Sequence, residues 1–110
     1  MTETEIQKRV DDFMRFVDEM CAKHGKFMLA LSDYESEFDY FSLNSDPHDS
    51  FAEYQIVNRR IESELDKRGI KYDVHIIKFG EYLNWQNANG LENNGASRAQ
   101  YVALKSKGAI

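Results

Sequence analysis

This sequence has little cysteine and little proline, and it lacks any long hydrophobic run. Its one cysteine, Cys21, has no second cysteine with which to form an internal disulfide. That usage fits a reducing compartment, although a disulfide-free secreted domain also fits. No apolar run approaches the roughly 18 residues that a membrane-spanning helix requires. The opening residues MTETEIQKRV lack the apolar core of a secretory signal. We therefore expect a cytoplasmic protein with no membrane association.

Clustered positive charge is also scarce. The 110 residues carry 14 Lys and Arg against 19 Asp and Glu, so the net charge is −5. The one group of bases consists of Arg59, Arg60, Lys67 and Arg68. Three acids are interleaved with it, as on a solvated helix face. Sequence-independent binding to nucleic acid needs clustered Lys and Arg. No nucleic-acid partner is therefore expected.

The apolar content predicts a folded core. Hydrophobic residues make up 42% of the chain, with seven Phe and six Tyr, which indicates a folded domain and not a disordered chain. No linker rich in Pro, Gly or Ser and no internal repeat divides it. We expect one domain over residues 1–110. The predicted core residues are Phe13, Val17, Leu29, Val57, Ile61 and Ile76.

Hydrophobic periodicity predicts four helices. In the two longer ones, apolar residues recur at three- and four-residue steps, the spacing that places them on one face. A glycine follows the apolar stripe in both, at Gly25 and Gly69, where it acts as a left-handed stop. The predicted helices span 3–24, 50–68, 80–88 and 98–106.

Three segments predict strands. KFMLALS (26–32) is a short apolar run, typical of a strand covered on both faces. EFDYFSL (37–43) is aromatic, and KYDVHIIKF (71–79) alternates polar with apolar residues. The connection DYES has hairpin length. The expected fold is a single α+β domain of order α-β-β-α-β-α-α. Its three-stranded mixed sheet has the 26–32 strand at the centre and is packed by helices.

The stretch LSDYESEFDYF (31–41) carries four acids, all at odd-numbered positions. Residues 26–49 as a whole hold six acids and one base. In an extended chain successive side chains point to opposite faces, so this alternation by itself would place the acids on one face and the aromatic residues on the other. The plainest interpretation is a strand and its turn, in which Asp39 faces solvent. A second is an acidic patch that attracts a partner through its negative field. A third is a hard-cation site, although the glycine-bearing loop of an EF-hand is missing.

Two further groups could carry chemistry. Asp46, His48 and Asp49 are metal-ligand types, but acids at this position also complement the dipole of the helix that follows. Asp73 and His75 share a strand face, the arrangement of a carboxylate that orients an imidazole, yet no Ser or Cys nucleophile lies at an identifiable elbow. The sequence contains no phosphate loop, dinucleotide fingerprint, Cys-x-x-Cys or HExxH.

These features favour a small non-enzymatic protein that acts by protein–protein interaction, as an accessory, adaptor or inhibitor. The partner is a protein of unidentified kind, with a second copy of this chain among the candidates, and no cofactor is expected. The candidate binding residues are Asp33, Glu35, Glu37, Asp39 and Ile56, the last an apolar residue off the buried stripe of its helix.

Two alternatives compete with this interpretation. One is a metal-dependent enzyme whose ligands would be Asp33, Glu35, Asp46, His48 and Asp49. The other is mimicry of DNA charge, which is weaker because a net charge of −5 is modest and the 50–68 and 98–106 helices carry bases.

Overall fold

The computed structural model describes residues 2–25, 28–44 and 50–110. Within these residues the chain forms five helices and a two-stranded sheet. The backbone N–H of Leu29 donates to the carbonyl of Lys71, and that of Glu35 donates to Ile77. Because both residue numbers increase together, the strands are parallel. The elements are α1 (Glu3–His24), β1 (Leu29–Tyr34), α2 (Glu37–Leu43), α3 (Phe51–Lys67), β2 (Tyr72–Ile77), α4 (Phe79–Ala88) and α5 (Gly95–Ser106).

The expected three-stranded mixed sheet is wrong, because EFDYFSL forms the helix α2 and not a strand. The described order is therefore α-β-α-α-β-α-α, and DYES leads from a strand into a helix instead of closing a hairpin. Ser36 caps α2, since its hydroxyl accepts a hydrogen bond from the backbone N–H of Asp39 at 3.4 Å. Tyr40 and Leu43, three residues apart, are buried. The cap at Ser36 and the three-residue spacing of the buried side chains thus outweigh the strand preference of the aromatic residues.

The described chain divides into two compact units, each built from separate stretches of sequence. The first contains residues 2–25, 28–29 and 50–72, and the second contains residues 30–44 and 73–110. The expectation of one domain over 1–110 stays a prediction.

The first unit is a helix pair in which α1 packs against α3. Ion pairs join the two helices where Arg60 contacts Glu3 and where Arg68 contacts Asp18, the second at 2.7 Å. Burial of Val17, Leu29, Val57 and Ile61 confirms those core predictions, whereas Phe13 is only half-buried. The buried stripes consist of Ile6, Val10, Met14 and Val17 on α1, and of Val57, Ile61 and Leu65 on α3.

Helix α3 ends as its sequence predicts. Gly69 has a φ of +67°, the left-handed conformation that a non-glycine side chain disfavours. The backbone N–H of Ile70 donates to the carbonyl of Leu65 at 3.0 Å, which is the long hydrogen bond of a Schellman motif.

The second unit combines most of the sheet, residues 30–34 and 73–77, with α2, α4 and α5. Its core is aromatic: the ring of Tyr101 lies 5.3 Å from that of Tyr82 and 5.2 Å from that of Trp85. Ile76 is 54% exposed, so the prediction that it belongs to the core is wrong. The buried residue is its neighbour Ile77, because successive residues of a strand point to opposite faces.

Helix α5 begins three residues before the predicted start at 98. The reason is its cap, since the side chain of Asn94 accepts a hydrogen bond from the backbone N–H of Ser97 at 2.8 Å. Among the described residues, no helix is both long enough and apolar enough to cross a membrane.

Replacing Gly69 should cost stability through its backbone conformation alone. A Cβ atom at Gly69 would meet nothing within 4 Å, so Gly69→Ala tests the positive φ without a steric clash. We expect the free energy of unfolding to fall by about 1 kcal/mol. Gly80 is the matched control, because it lies inside α4 in equally open space. Gly80→Ala should stabilise by about 0.5 kcal/mol. Urea unfolding measures both, and equal effects would contradict the assigned conformations.

Candidate functional site

The acidic stretch singled out by the sequence lies where β1 gives way to α2. Asp33 belongs to β1, Glu35 follows that strand, and Ser36 is the N-cap of α2. The four acids therefore do not share one strand face. Asp33 and Asp39 are buried, whereas Glu35 and Glu37 are exposed.

Asp39 is buried, so its expected solvent-facing position is wrong. One carboxylate oxygen accepts a hydrogen bond from the Ser36 hydroxyl at 2.6 Å. The other accepts from the backbone N–H of Phe79, the first residue of α4, at 2.7 Å. The first N–H groups of a helix have no partner within the helix. Lys78, the N-cap of α4, supplies no side-chain hydrogen bond. Asp39 thus caps a helix that is distant in sequence.

The environment of Asp39 favours its charged form. Burial by itself raises the pKa of this carboxyl, but the hydrogen bonds from the Ser36 hydroxyl and the Phe79 N–H more than offset that effect. The pKa of Asp39 consequently lies below its usual value. A negative charge also complements the positive N-terminal end of α4. Asp39 is therefore an ionised structural group.

The other end of α2 is held as well. The carbonyl of Leu43, the last residue of α2, accepts hydrogen bonds from the Asn93 side chain at 2.9 Å and from the Arg98 guanidinium at 3.0 Å. Arg98 also contacts the side chain of Asn44 at 3.3 Å. A cation at the C-terminus complements the negative end of the helix dipole. The short helix α2 is thereby fixed at both of its ends.

Held in this way, α2 presents aromatic side chains to solvent. Phe38 is 67% exposed and Phe41 is 41% exposed. Their spacing of three residues places both on one side of the helix. The ring of Phe38 contacts that of the half-buried Phe79 edge-on, with 5.6 Å between centroids. The exposed acids Glu35 and Glu37 adjoin these rings in the sequence. We call Glu35, Glu37, Phe38 and Phe41 the α2 surface.

The remaining candidate binding residue, Ile56, belongs to the first unit. It is exposed on α3, off the stripe that α3 buries, as its position in the sequence predicts. Its role in binding stays a prediction.

The metal alternative depends largely on Asp46, His48 and Asp49, which lie outside the described residues. In the described part of the chain, no group of three or more His, Cys, Asp and Glu side chains is arranged to hold a metal ion. Asp33, the buried member of the predicted ligand set, accepts a hydrogen bond from the backbone N–H of Tyr34 at 2.8 Å.

The strand pair of Asp73 and His75 is placed as the sequence predicts, on one face of β2. A carboxylate oxygen of Asp73 lies 4.0 Å from Nε2 of His75, and the same carboxylate accepts a hydrogen bond from the Ser106 hydroxyl at 3.3 Å. Nε2 of His75 is buried and has no hydrogen-bond partner among the described residues.

Sequence reasoning missed the exposed aromatic side chains of α2. The signal was present as Ser36-x-x-Asp39, which has the spacing of a helix cap. Once 37–43 is treated as a helix, Phe38 and Phe41 fall on the side opposite to Tyr40 and Leu43. Arg98 and Asn93 carried no such signal, because their target is a backbone carbonyl 50 or more residues away.

Comparison with known proteins gives this chain no family: no protein-family model and no curated protein matches it.

Asp39→Asn should lower stability at neutral pH by about 1 kcal/mol, because the charge-assisted hydrogen bonds become neutral ones. The pKa of Asp39 is lower in the folded protein than in the unfolded chain. The ionised carboxylate therefore stabilises the fold at pH values above the unfolded-state pKa, and this stabilisation is lost as the pH falls through the folded-state pKa. The difference from wild type should therefore shrink in acid, below about pH 4.

Urea unfolding as a function of pH measures this effect. Glu37→Gln is the matched control, since it removes an exposed acid from the same helical turn. A difference between Asp39→Asn and wild type that stays constant down to about pH 2 would contradict the assigned role.

Proposed function

We propose that this chain acts by binding a protein partner through the α2 surface. The observation that carries the proposal is the 67% exposure of Phe38 on a helix whose two ends are fixed by Asp39 and Arg98. Aromatic side chains dominate the energetics of protein interfaces when a partner's pocket encloses them. A helix already held in place pays little further ordering entropy on binding.

The charges beside the rings define the chemistry of the partner. Glu35 and Glu37 are exposed, while Asp39 is committed to α4 and Asp33 is buried. Exposed carboxylates around apolar rings complement an apolar groove bordered by Lys or Arg. The expected partner surface is therefore apolar at its centre and basic at its rim. Such a role needs no cofactor and no nucleic acid.

We place this activity in the cytoplasm, which the single cysteine of the sequence favours. The accessory, adaptor or inhibitor type of role follows from the same reasoning, since such proteins act through a surface and not through a reaction.

Affinity capture from the native host, with purified variants as bait, tests the proposal. Phe38→Ser should weaken capture of the partner by about 30-fold or more, the effect of losing an interface anchor. Phe16→Ser is the matched control, because Phe16 is likewise an exposed phenylalanine, at 49%, but lies on α1. Ile56→Ser tests the competing candidate on α3. Loss with Ile56→Ser but not with Phe38→Ser would move the interface to α3 and overturn this proposal.

The acids should act on the rate of association. For Glu35→Gln combined with Glu37→Gln, we expect slower association with the captured partner at low salt and little difference at high salt, because rim charges steer encounter. Surface-binding kinetics at two salt concentrations measure this effect. An unchanged association rate at low salt would show that the partner's rim is not basic.

A further inference from the structure

The strand β2 has an open edge. The carbonyls of Lys71 and Ile77 both accept hydrogen bonds from the β1 side. Backbone groups alternate in direction along a strand, so the odd-numbered residues of β2 face β1 and the even-numbered ones face away. Val74 and Ile76 therefore direct their N–H and C=O groups to the outer edge. In the described chain no strand pairs with that edge.

The side chains at this edge are apolar and exposed. Val74 is 38% exposed and Ile76 is 54% exposed, and their spacing of two residues places them on one face of the sheet. Natural proteins commonly protect an open edge with Lys, Pro or a bulge. Strand β2, Tyr72–Ile77, contains no Lys and no Pro, and its flanking lysines are Lys71 and Lys78. An edge with exposed apolar side chains and no strand partner in the described chain is a template for pairing with another strand.

We propose that this edge binds a second copy of the chain, through antiparallel pairing of β2 with β2 about a two-fold axis at Val74. In that register Val74 faces Val74 of the second copy, and the two residues exchange both backbone hydrogen bonds. The arrangement is closed and uses the same surface on both copies, as a two-fold dimer requires. Ile76 extends the shared apolar stripe on either side.

The polar side chains on the opposite face of β2 favour this register, because a carboxylate accepts a hydrogen bond that an imidazole N–H can donate. With the axis at Val74, Asp73 of each copy lies directly opposite His75 of the other, in a non-hydrogen-bonded pair whose side chains are close. An axis at Asp73 would place two carboxylates against each other, and an axis at His75 would oppose two imidazoles. Of these three registers, the Val74 register is the one that places a carboxylate opposite an imidazole.

One ring nitrogen of His75 is also left without a hydrogen bond in the described part of the chain. This nitrogen, Nε2, is buried, and the nearest carboxylate, that of Asp73, lies 4.0 Å away. Asp73 is meanwhile shared with the Ser106 hydroxyl. Pairing across the two-fold axis places a second carboxylate beside the partly exposed ring of His75.

Sedimentation equilibrium over a range of concentrations tests the dimer. The wild-type chain, of 12.8 kDa, should shift reversibly toward twice that mass as concentration rises. Val74→Lys brings two ammonium groups together at the axis and should raise the dissociation constant at least tenfold. Val74→Thr retains a β-branched side chain and should keep the dimer. A monomer at all concentrations, or a dimer insensitive to Val74→Lys, would overturn the proposal.

The pairing of Asp73 with His75 across the axis has its own test. His75→Asp opposes two carboxylates across the interface and should raise the dissociation constant several-fold. Adding Asp73→His restores opposite partners in the same register and should recover most of that loss. Failure of the double variant to recover, with a wild-type melting temperature, would overturn the Val74 register. Phe38→Ser should leave the dimer unchanged, so that loss of the α2 surface and loss of the dimer are distinguishable.

Discussion

The carboxylate of Asp39 sets the geometry of the second unit, because it serves two helix starts at once. At the start of α2 it accepts a hydrogen bond from the Ser36 hydroxyl. It also accepts a hydrogen bond from the first backbone N–H of α4, that of Phe79. A backbone N–H removed from water without an acceptor costs about 1–3 kcal/mol. The α4 helix begins at Phe79 without any cap of its own, so its start depends on where α2 places Asp39.

The exposure of Phe38 and Phe41 follows from that constraint. The residues of α2 that anchor it are Asp39 at the start and Leu43 at the end, and both face inward. A helix with a period near 3.6 residues cannot turn its whole circumference to the core. The residues on the side of α2 opposite to Asp39 and Leu43 therefore face solvent. That this side holds two phenylalanines, and not the polar residues usual on a solvated helix, is the basis of the proposed function.

Strand β2 presents a second case in which position in the fold gives meaning to ordinary residues. An isolated exposed Val or Ile is unremarkable on a protein surface. Val74 and Ile76 differ because they lie along the edge of a two-stranded sheet that, in the described part of the chain, pairs with no further strand. Asp73 and His75 then gain significance from the two-fold symmetry of an antiparallel self-pair. The α2 surface and the β2 edge are thus separate sets of residues, one argued for a foreign partner and one for a second copy.

The sequence by itself determined the long helices, because their signals are local and repeated: apolar steps of three and four, and a glycine stop such as Gly69 at +67°. It also identified Val17, Leu29, Val57 and Ile61 as core residues of the first unit. Among the short segments, the sequence also predicted both strands and α4, but tertiary structure decided the segment 37–43. EFDYFSL has aromatic residues that suit a strand, and over seven residues neither period is well sampled. What settled it as a helix was the cap at Ser36 and the contacts of Asp39 and Leu43 with residues 40 or more positions away. Such partners leave no periodic trace in the sequence, since one hydrogen bond fixes one pair of positions only.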